Sequence, residues 1–309
     1  MALLFKSDAD RADWWKQEIG THMPGLDVRI WPETGDVGDI EYAVVWKIKP
    51  GVLATFPNLR FIFSLGAGVD HLFSDPTLPK NVPICRVVDR FLTQRMTEHV
   101  VLHALRYHRR QPEIEAQQRE QRWDELYTPT AQERAIGVMG MGELGADAAV
   151  KLSLLGFKVA GWSRTAKHID GIESFHGPSG LGPFLARTEI LVCLLPLTPE
   201  TEGILNARLF AGLPKGAAII NVARGRHLVE EDLLAALASG QISYAALDVF
   251  REEPLPAAHL FWRHPHVSVS PHNASITDPR SVSALLVDNI RRAQANAPLL
   301  NVVDPNVGY

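Results

Sequence analysis

The chain has 309 residues, of which 46% are hydrophobic and 21% charged, and its formal net charge is −4 at pH 7. That length is long for one domain and ordinary for two, and the mild acidity gives no case for a nucleic-acid or membrane partner. The two cysteines, Cys85 and Cys193, stand in apolar runs and read as buried thiols in a reducing cytoplasm, the twelve histidines show no metal-ligand spacing, and no apolar run reaches a spanning length.

The first residues, Met1 to Lys6, form too short an apolar run for a signal peptide and read as a strand. In the N-terminal part, strands are predicted at Leu3–Phe5, Val28–Ile30, Tyr42–Trp46, Phe61–Ser64 and Ile84–Val88. Trp46 ends the third of these and either walls a pocket or fills the core. After the fourth, Gly66-Ala67-Gly68 offers consecutive backbone N–H groups. They form either an anion nest for a carboxylate, with Ala67 and Gly68 facing the substrate, or a plain strand-to-helix turn. Met96 to Tyr107 has helical periodicity, and Met96 and Thr97 fall at the expected hinge, where they would line a cofactor. His71 and Lys47 lie near these motifs without an assigned role. The polar segment from Arg109 to Arg134 carries Trp123, Leu126 and Tyr127; it reads as an arm that covers a neighbouring surface, such as a partner subunit.

An apolar run from Ala135 then ends in Gly140-Met141-Gly142-Glu143-Leu144-Gly145, followed by a helix-like stretch and a second apolar run, Phe157–Gly161. This is Gly-x-Gly-x-x-Gly inside one βαβ unit. Gly140 permits the tight turn, Gly142 a close approach to a pyrophosphate, and Gly145 close packing of helix on strand. The phosphates would sit on the positive helix end. An NAD site places an acid about 20 residues on; here Ser163, Arg164 and Lys167 stand there, and the first acid is Asp170. A hydroxyl and a guanidinium suit a 2′-phosphate, so the pattern favours NADP(H), with NAD(H) as the alternative; a solvated basic loop is the plainer reading.

Further strands are predicted at Ile190–Leu195, Ala217–Val222, Ala245–Val249 and Val267–Ser270, and a last helix at Ser281–Asn296. The alternation implies an α/β fold of two doubly wound parallel-sheet domains with a ligand cleft between them. Three polar residues fall at or beyond strand ends, where such sheets face ligands: Arg224, Glu253 and His272. A guanidinium fork holds a carboxylate and polarises the neighbouring carbonyl. A histidine supplies the proton an alcohol needs once hydride arrives, and a carboxylate on that histidine favours its charged form and fixes its orientation. Singly, each has a bland alternative as a loop cation, a surface acid before Pro254 and a loop histidine. Together, downstream of a dinucleotide motif, they form a set suited to reducing a 2-oxo acid.

In these motifs the chain resembles the D-isomer-specific 2-hydroxyacid dehydrogenases. The resemblance rests on Gly140–Gly145, Leu195-Pro196-Leu197-Thr198, Asn221-Val222-Ala223-Arg224-Gly225, Ala246 to Pro254 and Ser270-Pro271-His272. Val44-Val45-Trp46, Leu65 to Asp70, Gly161 to Arg164 and Phe261 to Pro265 look most like the family's NADPH-preferring reductases of glyoxylate and hydroxypyruvate. The resemblance implies a Rossmann cofactor domain, 98–280, and a flavodoxin-like substrate domain formed by both termini, 1–97 and 281–309. By resemblance Arg224 binds substrate, His272 is the acid/base and Glu253 its partner. Leu195, Pro196, Val222 and Asp248 lie along the cofactor, with Asp248 at the nicotinamide end. A homodimer is implied too. The rival readings are an NAD-dependent dehydrogenase of a larger 2-hydroxy acid and a dinucleotide sensor without turnover; the sensor would not need all three of Arg224, Glu253 and His272. One departure is Asn273, where the family more often has an apolar residue.

Overall fold

In a computed structural model, which describes residues 1–305, contacts divide the chain into two compact units. One is Met1–Leu92 with the chain from Thr277 on, and the other is Thr93–Ile276. The sequence expectation put these boundaries at 97/98 and 280/281; its residues 306–309 lie outside the described part.

In the first unit, β1 (Ala2–Lys6), α1 (Ala12–His22), β2 (Asp27–Ile30), β3 (Ile40–Val45), β4 (Phe61–Ser64), the single turn α2 (Asp70–Phe73) and β5 (Ile84–Arg86) follow in order. The strands are all parallel, in the order β2-β1-β3-β4-β5, which is the flavodoxin-like arrangement. The central strands β1, β3 and β4 are buried along nearly their whole length and read as mainly apolar runs, whereas the edge strand β2 carries Asp27 and Arg29. Leu4, Ala43, Val45 and Ile62 enter one core with Leu53, Val69 and Leu72. Their neighbours point the other way, where Phe5 meets Trp15 of α1 at 5.7 Å between ring centres. The C-terminal helix, Pro279–Gln294, packs on α1. The Asp278 carboxylate caps it by accepting from Arg280 N–H at 3.0 Å, and the Arg280 guanidinium lies 5.6 Å from the centre of the Trp14 ring. The chain then returns to β5, with Val303 N–H donating to Ile84 O at 2.8 Å.

The second unit contains most of α3 (Arg90–His108), then α4 (Gln111–Arg119), β6 (Ala135–Met139), α5 (Glu143–Leu154), β7 (Lys158–Ser163), β8 (Glu173–His176), α6 (Gly177–Ala186), β9 (Ile190–Cys193), α7 (Ala207–Ala211), β10 (Ala217–Asn221), α8 (Glu230–Ala238), β11 (Ile242–Leu247) and β12 (Val267–Val269). The sheet is parallel, ordered β12-β11-β10-β9-β6-β7-β8. The strand order reverses between β6 and β9, the switch point at which such folds bind ligands. Alternate residues of each central strand separate onto two cores. Met139, Leu191, Cys193, Ile219 and Leu247 line one, and Val138, Ile190, Val192, Ile220 and Ala246 the other.

Two elements differ from the sequence expectation. The strand β8, Glu-Ser-Phe-His, is a mostly exposed edge and has no apolar run to announce it. Within the expected arm, α4 forms a helix of its own after Arg110, whose φ of 53° breaks the run from α3. Arg106 of α3 holds it through two bonds to Glu115, at 2.9 and 3.0 Å.

Candidate active site

The glycine motif joins β6 to α5, and its three glycines answer different demands. Gly140 has φ 98°, and a Cβ there would come within 2.6 Å of Leu194 O. A Cβ on Gly145 would overlap the Gly140 carbonyl. At Gly142, the N-cap of α5, a Cβ would meet nothing within 4 Å. Protein packing therefore requires glycine at the first and third positions. At the second the chain leaves open space over a helix N-terminus, which fits a pyrophosphate. Glu143 is exposed, Leu144 half-buried, and Met141 buried against Gly161, where its Sδ would lie 2.5 Å from a Cβ. After β7, Arg164 is exposed, whereas Ser163 is buried and its hydroxyl donates to Thr165 O at 2.8 Å. Arg164 thus carries the guanidinium the loop offers, and the Ser163 hydrogen is already engaged. Leu195 and Val222 are buried in the two cores.

The ends of β10, β11 and β12 assemble the polar residues. Asn221, fully buried, accepts from Ala223 N–H at 3.2 Å and donates to Arg224 O at 3.1 Å, shaping the loop that carries Arg224. His227 completes it. Its Nδ1 accepts the Arg224 N–H at 3.2 Å, and its Nε2 lies 3.2 Å from Pro196 O, which fixes the hydrogen on Nε2. The Arg224 guanidinium donates to Ala223 O at 2.7 Å. A Cβ on Gly225 would overlap the Phe250 carbonyl, so this loop packs directly on the one after β11. There Phe250 N–H donates to Glu253 Oε1 at 3.1 Å, and Glu253 Oε2 lies 2.9 Å from His272 Nδ1. A carboxylate oxygen only accepts, so Nδ1 carries the hydrogen and Nε2 is the ring atom placed to exchange a proton. Asp248, buried, accepts from Ser270 Oγ at 2.6 Å, Asn273 N–H at 3.0 Å and Ala274 N–H at 2.9 Å. The structure thus brings Glu253 and His272 into contact and ties the Arg224 loop to the Glu253 loop.

In the first unit, Trp46 and the Gly66–Gly68 loop lie together. A Cβ on Gly66 would overlap the Trp46 ring. Trp46 meets His71 edge-on at 4.6 Å, and His71 Nε2 lies 3.1 Å from the buried Ser64 Oγ, which also accepts from Gly66 N–H at 3.3 Å. Ala67 and Gly68 are half-buried at the turn. The sequence reading gave no role to Ser64, Asn221, His227 and Ser270, which shape these loops; Asn221 and Ser270 stood in its motifs only as neighbours of Arg224 and His272.

The helix α3 adds a titrating element. Burial, with smaller contributions from His99 and Arg106, holds the His103 ring down at about 4 against an ordinary 6.5. Burial also lowers His99, 4.6 Å away between ring centres, against the pull of Asp248. A histidine held neutral in the fold binds its proton more readily when unfolded. Its contribution is therefore complete above pH 6.5 and is lost as pH falls from 6.5 towards about 4. That interval corresponds to ~3 kcal/mol. His103→Leu is expected to lose less stability than the parent between pH 7 and pH 4.5 in urea titrations; parallel losses would show that His103 is not held neutral.

Comparison with known proteins places these features in a family. Residues 101–274 match the sequence profile of the D-isomer specific 2-hydroxyacid dehydrogenase NAD binding domain. A protein of Serratia proteamaculans named glyoxylate/hydroxypyruvate reductase A is 42% identical over 314 aligned residues, covering 100% of both chains. The fold superposes on a D-isomer specific 2-hydroxyacid dehydrogenase from Xanthobacter autotrophicus Py2, solved with NADPH and MES, with a TM-score of 0.95 and 47% identity, covering 100% of this chain and 99% of that one. It also superposes on an NADPH-dependent glyoxylate/hydroxypyruvate reductase from Sinorhizobium meliloti, solved with NADP and sulfate, with a TM-score of 0.94 and 40% identity across 100% of both chains.

Proposed function

This chain belongs to the D-isomer specific 2-hydroxyacid dehydrogenase family, and from that premise we propose that it reduces a small 2-oxo acid, glyoxylate or hydroxypyruvate, with NADPH. The observation that carries the reading is the 2.9 Å contact between His272 Nδ1 and Glu253 Oε2, in the same unit as the open glycine turn. When bound, the reduced nicotinamide supplies a hydride to the carbonyl carbon. His272 gives the proton from Nε2 to the carbonyl oxygen, and Glu253 holds the ring through Nδ1. Arg224 grips the substrate carboxylate and draws charge towards the carbonyl oxygen. The Ala67 and Gly68 N–H groups add donors for the carboxylate, and the Trp46 ring limits what fits beside it. Arg164 takes the cofactor 2′-phosphate.

The test is the decay of NADPH absorbance with glyoxylate, hydroxypyruvate and longer 2-oxo acids, repeated with NADH. A preference for NADH and a bulky acid would overturn the reading. In Arg164→Ala the NADPH-to-NADH ratio of kcat/KM should fall roughly 10–150-fold, the equivalent of one lost charged hydrogen bond of about 1.5–3 kcal/mol. A ratio that stays put means that another residue reads the phosphate.

Among the described residues no helix is long and apolar enough to cross a membrane. The two cysteines are free and buried, which suits a reducing cytoplasm. The segment after α4 exposes Trp123 at 95% and Tyr127 at 78%, a cost that a second copy of the chain would relieve by covering it. The homodimer so proposed fails if light scattering returns the mass of one chain.

A further inference from the structure

We propose that Asp248 is a positioning residue for His272, its buried carboxylate holding the backbone turn that presents the imidazole to Glu253. The inference rests on the reading of His272 as proton donor. Asp248 follows β11 and is 1% exposed. A carboxylate so placed needs hydrogen-bond partners, and all three that the structure gives it come from the His272 loop. Oδ1 accepts from Ser270 Oγ and Asn273 N–H, and Oδ2 from Ala274 N–H. The main chain of Asp248 adds a fourth tie, its carbonyl accepting the His272 N–H at 2.8 Å. Residues 270, 272, 273 and 274 are thus all bonded to one residue.

His272 sits at the centre of this grip with φ 52°, the left-handed region that a side-chain-bearing residue keeps only when its surroundings impose it. Remove the grip, and the natural relaxation is a negative φ, which swings the ring away from Glu253. A carboxylate offers about four lone-pair sites. Three are filled by the His272 loop, which leaves about one for the nicotinamide contact that the resemblance implies. The Asp248 N–H is anchored to Asn221 O at 3.0 Å, so the residue that shapes the Arg224 loop also backs the one that shapes the His272 loop. An asparagine at position 248 would fill the same volume but present an NH2 group to one of the two backbone N–H groups.

The experiment compares the full-length protein with Asp248→Asn. We expect kcat for glyoxylate to fall about 10²-fold, the cost of a misplaced catalytic group. The NADPH dissociation constant, read by fluorescence, should change less than about threefold, since an asparagine keeps the volume and one acceptor oxygen and a positioning group acts mainly on the chemical step. Amide exchange in the peptide containing 272–274 should accelerate, and the solvent isotope effect on kcat should rise as proton donation slows. Weaker NADPH binding with unchanged exchange would overturn the proposal in favour of a cofactor contact, and so would wild-type kcat. Should the variant not fold, the parent decides: slow exchange at Asn273 and Ala274 supports the clamp, and exchange as fast as an exposed loop overturns it. His272→Ala separates the two ideas. If that variant keeps its turnover, the proton-donor reading itself has failed, whatever Asp248 does.

Discussion

His272→Ala is expected to lower kcat for glyoxylate reduction by about 10²–10⁴, the usual worth of general acid catalysis, while NADPH still binds. The separation follows from where the residue acts. The glycine turn and α5 would hold the pyrophosphate, whereas the His272 ring is tied to Glu253 at 2.9 Å. Loss of the imidazole leaves the alkoxide without its positioned proton donor, which slows the chemical step without removing a binding group. Glu253→Gln should fall short of this. An amide oxygen can still accept from Nδ1, but the imidazolium formed in the reverse reaction loses its counter-charge. Stopped-flow traces of NADPH oxidation at saturating glyoxylate, with cofactor affinity measured in parallel, check both parts. Turnover at the parental rate would remove His272 from the mechanism, and a joint collapse of affinity and rate would make it a structural residue.

Much of this arrangement was legible in the chain, for reasons that differ from place to place. The central strands declared themselves because both faces are buried: Ile190, Leu191, Val192 and Cys193 alternate between two cores, so each position must be apolar. The glycine motif was legible because Gly140 and Gly145 answer steric demands that no other residue meets. The edge strand β8 stayed hidden, since one exposed edge makes no demand on composition. So did α4, whose polar sequence looks the same in an arm or a surface helix until Arg106 is seen to bind Glu115. In the candidate site, Arg224, Glu253 and His272 could be singled out because the proposed chemistry requires particular side chains at strand ends. Asn221, His227 and the grip of Asp248 on the His272 loop were not, because they bind mainly to backbone groups, which every sequence supplies. At Ser163 the hydroxyl donates to Thr165 O, a bond that a phosphate would have to compete with.

Arg224→Lys is the second substitution with a large expected effect, and it separates charge from geometry. Both side chains carry one positive charge, so a purely electrostatic role predicts a mild change. A guanidinium offers parallel N–H groups that match both carboxylate oxygens; an ammonium is a point charge with no such fork. The loop holds its main chain in place. Asn221 and His227 fix the backbone at Arg224 from both sides, and Gly225 lets it lie against Phe250. A lysine on that fixed backbone cannot regain the second bond by shifting the main chain. Loss of a charged hydrogen bond, worth about 1.5–3 kcal/mol, corresponds to a fall in kcat/KM of roughly 10–150-fold. Because the same fork polarises the carbonyl as hydride arrives, kcat should fall as well as KM rise. Arg224→Ala should be worse still, and added guanidinium should restore part of the rate by occupying the vacated space. A rise in KM with kcat untouched would confine Arg224 to uniform carboxylate binding. Parental kinetics in the lysine variant would move the carboxylate to the Ala67 and Gly68 N–H groups, where substitution of Gly68 would then carry the penalty.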